Sequence, residues 1–112
     1  MKKYLFYAMQ GKKMCFMHVL LNALQLNEAG HEVKIIFEGE SVKLPSDLAL
    51  EANKLYLQAH DKGLLAGICF ACSAQLEVLE LNQATGLPLL KDMNGHAGIL
   101  PFVEENYEVI WA

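Results

Sequence analysis

Short apolar runs alternate with longer segments of helical pattern along this chain, and that alternation limits its fold more than any other feature. Residues 3–9 and 64–70 are apolar and read as strands, and residues 32–38 carry Val33, Ile35, Ile36 and Phe37, a β-branched, buried-strand composition. Residues 87–90 read as a short fourth strand that Pro88 confines to an edge, and residues 108–111 read as the last strand. Between these runs, residues 14–29 are of helical length, with Gly30 placed to end the helix. Residues 39–45 read as a loop, after which Ser46 or Asp47 caps a helix whose stripe runs Leu48, Ala52, Leu55, Ala59 and which Gly63 closes. Residues 72–84 and 98–106 supply two more helices. The order βαβαβαβαβ implies a single α/β domain over residues 1–112, with a parallel sheet, right-handed crossovers and helices on both faces.

Charge removes several function classes. Nine lysines face thirteen acidic residues, a net charge of −4, and the chain has no arginine. Such a chain lacks both the long-range attraction for phosphate backbones and the side chain best suited to bidentate phosphate recognition, so nucleic acid is not an expected partner. The charge-free stretches 14–27 and 63–76 fall short of the roughly 20 residues that span a bilayer. The apolar run after Met1, Lys2 and Lys3 is cut off by Gln10, Gly11, Lys12 and Lys13, too early for a signal peptide. A cytoplasmic protein with no membrane partner is expected. The helix at 14–29 is apolar almost all round, and 54% of the chain is hydrophobic, which points to a homo-oligomer.

Ligands of an open parallel sheet bind at the carboxyl ends of its strands, here the segments 9–15, 39–45, 69–73 and 91–96. All three cysteines and one histidine fall among them. An odd cysteine count in a reducing compartment argues for thiol chemistry or metal binding rather than a disulfide framework. Cys69-Phe70-Ala71-Cys72 is the sharpest local motif, with Cys69 ending the third strand and Cys72 opening the next helix, where backbone N–H groups favour a thiolate. His96, between Gly95 and Gly98, is placed to donate a proton or hold an anion. Lys12, Lys13 and Lys43 lie at the same edge, where they could lower a thiol pKa. Cys15, among Met14, Phe16 and Met17, reads as core, and His18, His31 and His60 read as structural or exposed. A thioredoxin arrangement fits poorly, because the cysteine pair follows the third strand. A zinc site finds three ligands in Cys69, Cys72 and His96 but no second pair to close it, so no metal is expected.

Three segments carry a family resemblance. Residues 29–40, with Gly30, His31, Glu32 and the strand through Phe37, resemble the second-strand signature of small DsrE-like proteins, the group that includes the TusD and YchN types. Residues 68–74, Ile68-Cys69-Phe70-Ala71-Cys72-Ser73-Ala74, resemble that family's strand-to-helix segment, and residues 95–110 are similar to its last helix and strand. The resemblance implies a three-layer α/β/α fold on a mostly parallel five-stranded sheet, assembled as an oligomer. It also implies that Cys69 accepts sulfane sulfur as a persulfide from a donor protein and passes it to an acceptor, chemistry that needs no cofactor. Cys72, at a position that is alanine in the TusD type, is placed to release the sulfur by forming a disulfide with Cys69. Where relay members commonly carry arginines after the motif, this chain has Gln75 and Glu77. A non-catalytic oligomeric binding or assembly protein of the same fold is the alternative, and a redox enzyme or sensor that uses Cys69 and Cys72 as a reversible disulfide is a third reading.

Overall fold

The computed structural model describes residues 1–112. Five strands, β1 (Lys3–Ala8), β2 (Glu32–Phe37), β3 (Leu65–Cys69), β4 (Leu89–Leu90) and β5 (Glu108–Trp111), form one sheet in the order β4-β3-β2-β1-β5, and every neighbouring pair is parallel. Six helices join them: α1 (Lys13–Glu28), α2 (Leu44–Leu50), α3 (Lys54–Asp61), α4 (Phe70–Gln75), α5 (Leu79–Ala84) and α6 (Leu100–Glu104).

The strand order dictates the layers. From β1 to β4 the chain steps in one direction across the sheet, so right-handed crossovers lay α1 to α5 on one face. Contacts of α1 with α3, α2 with α5 and α4 with α5 agree with this placement. The return from β4 to β5 runs the other way and covers the opposite face with the segment around α6. Lys3 Nζ reaches the Glu105 carbonyl there, and Tyr7 Oη reaches the Ala97 carbonyl. The result is a three-layer α/β/α domain whose second helical layer is thin. On the thick side, Phe16, Val19, Leu20, Ala23 and Leu24 of α1 are buried, with the Phe16 and Phe37 rings 5.1 Å apart. Each large apolar side chain among them contributes about 1.5–3 kcal/mol by leaving water.

Gly30, at φ +95°, ends α1 as the sequence implies, with the His31 N–H donating back to the Leu26 carbonyl. Two expected helices are each broken in two. The stripe from Leu48 to Ala59 is interrupted where Ala52 adopts φ +52° and the Asn53 side chain accepts the Tyr56 N–H at 3.0 Å, starting α3 afresh. Ala52 is therefore exposed, and Tyr56 takes the buried position. The segment after Cys72 breaks at Glu77, φ +61°. Beyond the break, buried Asn82 donates to the Val42 carbonyl at 2.9 Å and to Ser73 Oγ at 2.8 Å, tying α5 to α4 and to the 3-10 turn over Gly39–Lys43. That turn occupies what the sequence presents as a loop. Cys15 is exposed rather than core. No helix is long and apolar enough to cross a membrane.

Candidate functional site

In a parallel sheet, paired residues of neighbouring strands share a face. Tyr7 pairs with Ile36, and Ile36 with Gly67, so Tyr7, Glu38 and Cys69 project from adjacent strand ends on the thinly covered face. Cys72 joins them from the first turn of α4, where its N–H donates to Cys69 Sγ at 3.3 Å.

His96 arrives from the fourth strand's loop. Asn94 and Gly95, at φ +51° and +88°, make a two-residue turn closed by reciprocal bonds between Met93 and His96, each 2.9 Å. The turn docks on α4 through the Ala71 N–H, which donates to the Gly95 carbonyl at 2.8 Å. This brings His96 Nδ1 to 3.3 Å from Cys69 Sγ, 3.5 Å from Cys72 Sγ and 3.4 Å from Glu38 Oε1. One donor atom from each of Glu38, Cys69, Cys72 and His96 lies within 4.8 Å of the other three.

Glu38 organises this cluster. Its Oε1 accepts the Gly39 N–H at 3.1 Å and the Cys72 thiol, and its Oε2 accepts the Ala97 N–H at 3.2 Å. The Tyr7 hydroxyl lies 3.1 Å from Oε2 and 2.7 Å from the Ala97 carbonyl, one proton serving two acceptors. Burial alone would raise the Glu38 pKa; the hydrogen bonds from Cys72, Cys69, Gly39 and Tyr7 outweigh it and hold the carboxyl below its usual range. The thiols respond in the opposite sense. Burial first, then the Glu38 carboxylate, push Cys72 up to about 12. Cys69 is also raised, by burial, against the lowering effect of the Cys72 N–H. The expectation that the helix start favours a thiolate in this motif is thus reversed by enclosure: both cysteines are buried, and for Cys69 the backbone N–H does not offset that burial.

The structure brings Cys69, Cys72 and His96 together as the sequence suggests, and adds Glu38 and Tyr7. The expected strand-end segment 39–45 begins one position past Glu38, the acidic residue that closes the apolar strand. Lys13 is bound instead to Glu51, and Lys43 lies 3.1 Å from Glu40, so neither acts on the thiols. Of the four clustered groups only His96 is not buried, with 37% of its side chain exposed. On its other side Cys72 borders a pocket of about 290 Å³ lined by Met9, Gly39, Glu40, Gln75 and Leu76.

Neither a family model nor a solved structure matches the chain. Over 107 residues it is 34% identical to the uncharacterized protein MJ0733 of Methanocaldococcus jannaschii, covering 94% of this chain and 86% of that protein. An uncharacterized protein of Archaeoglobus fulgidus is 36% identical over 44 residues, 39% of this chain and 72% of its own length.

Proposed function

The chain belongs to the same family as the uncharacterized protein MJ0733 of Methanocaldococcus jannaschii, and we propose that it is a DsrE-like sulfur carrier that holds sulfane sulfur as a persulfide on Cys69. The observation that carries this reading is the imidazole nitrogen of His96 within 3.5 Å of both sulfurs of a Cys-x-x-Cys pair. A thiol held protonated by burial needs a base at contact distance before it can act as a nucleophile, and His96 Nδ1 is at that distance.

Loading is a thiol exchange in form. The Cys69 proton passes to His96, and the thiolate attacks the outer sulfur of a donor persulfide, R–S–S–H. The donor S–S bond breaks, R–S⁻ leaves and recovers the proton from His96, and Cys69–S–S–H remains. An acceptor thiolate removes the outer sulfur by the same step in reverse. Cys69 is fully buried with its Sγ 3.3 Å from His96 Nδ1, so the donor reaches it once His96, having taken the proton, moves aside with the segment that carries it. Reduced protein exposed to a polysulfide and weighed intact tests this. A reducible gain of one sulfur atom, lost in Cys69→Ser and retained in Cys72→Ser, is the expected result; no gain in wild type overturns the reading.

A second reading is an oligomeric assembly domain of this fold without thiol chemistry. Exposed Leu100, Val103 and Trp111, in and beside the thin layer, favour it. It predicts an oligomer whose size and stability are unchanged in Cys69→Ser.

A further inference from the structure

We propose that Glu38, Cys69, Cys72 and His96 form a closed four-donor site for a thiophilic divalent cation of the zinc type. The donor set is two sulfurs, one imidazole nitrogen and one carboxylate oxygen, a mixture that suits a borderline-soft ion. Bonds of about 2.3 Å to sulfur and about 2.0 Å to nitrogen or oxygen place the corners of a tetrahedron about 3.3–3.8 Å apart. The three edges that meet at His96 Nδ1 are 3.3, 3.5 and 3.4 Å. The edge between Cys72 Sγ and Glu38 Oε1, 2.6 Å, must lengthen by rotation of either side chain, and the two remaining edges, from Cys69 Sγ to Cys72 Sγ and to Glu38 Oε1, lie within 4.8 Å.

The surroundings are those of an oriented ligand set. Tyr7 Oη and the Ala97 N–H hold Glu38 Oε2, which turns Oε1 towards the thiols, and the Cys72 N–H supports Cys69 Sγ. The fourth ligand, missing from the set of Cys69, Cys72 and His96, is Glu38, delivered by β2. Because the protein provides all four donors, the site has no open position for a substrate, which makes the ion structural or regulatory rather than catalytic. Binding breaks two S–H bonds, forms two metal–sulfur bonds and releases two protons, with no change of oxidation state. An ion held by both sulfurs leaves neither free to attack a persulfide, so metal occupancy and sulfur loading exclude each other. The site itself rests on the donor geometry and not on the carrier reading.

Reduced, chelator-treated full-length protein titrated with Co²⁺ and then Zn²⁺ tests the proposal. One Co²⁺ per chain is expected, with thiolate-to-cobalt charge-transfer absorption that Zn²⁺ abolishes. Zn²⁺ should protect Cys69 and Cys72, but not Cys15, from alkylation mapped by peptide mass. Tyr7→Phe keeps all four donors but releases Glu38, and should weaken Zn²⁺ by about tenfold or more. Absence of the charge-transfer band at excess Co²⁺, or Zn²⁺ that leaves Cys69 and Cys72 as reactive as before, overturns the site. The polysulfide experiment reads mass and this one reads absorption and protection, so either proposal can fail alone.

Discussion

Replacing Glu38 by glutamine removes one charge at almost constant shape, and its effect on Cys72 can be worked out from the groups around that thiol. Burial and the Glu38 carboxylate together hold Cys72 near 12, against an ordinary 9.0. At pH 8 a thiol with that pKa is ionised to about one part in ten thousand, and each unit of decrease multiplies the thiolate tenfold. Glutamine eliminates the carboxylate's contribution and leaves that of burial, so the Cys72 pKa must fall. A decrease of one unit or more raises the alkylation rate at pH 8 by at least about tenfold. There is also a stability cost. Whichever way the new amide turns, its NH₂ faces a backbone N–H, that of Gly39 on one side or Ala97 on the other. One buried donor then goes unpaired, at about 1–3 kcal/mol, which lowers Tm by about 4–8 °C per kcal/mol for a domain of this size. The assay is iodoacetamide labelling of chelator-treated protein across pH, with Cys72 quantified by peptide mass and exposed Cys15 as the internal reference. A Glu38→Gln protein that is folded but labels Cys72 no faster than wild type would refute the claim that the carboxylate holds the thiol protonated.

Two further perturbations probe the scaffold around the site. A Cβ on Gly67 would lie 2.7 Å from Leu90 Cγ and 2.8 Å from the Pro88 carbonyl, which accepts the Ile68 N–H. Gly67→Ala should therefore push the two-residue β4 away, cost about 1–3 kcal/mol, and speed hydrogen exchange at the Ile68 amide; unchanged exchange there would count against it. Asn82→Ala leaves the Val42 carbonyl and Ser73 Oγ without their buried donor, a loss of about 1–3 kcal/mol measurable by thermal unfolding. A variant as stable as wild type would show that the tether does not hold α5 in place.

Much of this architecture is legible in the residues, and the remainder fails for identifiable reasons. The strands are legible because each is a short apolar run followed by a helical pattern, and Pro88 marks β4 as an edge before any pairing is known. The two broken helices are not, because the chain turns at Ala52 and Glu77, residues that carry a Cβ and seldom adopt positive φ. What holds them there is the Asn53 cap in one case and the Asn82 tether in the other. In the site, the cysteine motif and His96 are local signals, and Asn94-Gly95 before His96 is a turn signature that fixes where the histidine points. Glu38 carries no such local mark. Its role comes from strand parity and from a register that places it beside residues more than thirty positions away. The protonated state of the thiols depends on enclosure, which no spacing of residues records.

The thin second layer also governs motion. The stretch that roofs one face of the sheet carries His96 and the Ala97 amide that clamps Glu38, so covering the sheet and assembling the site are one event. A roof one short helix thick contributes few buried contacts, and segments of that kind open locally at a small fraction of the free energy of global unfolding. Each such opening would uncover Cys69, release Glu38 and withdraw His96 together. Reactivity at the buried sulfur is then set by how often the roof lifts, a rate that amide exchange across residues 93–98 reads directly.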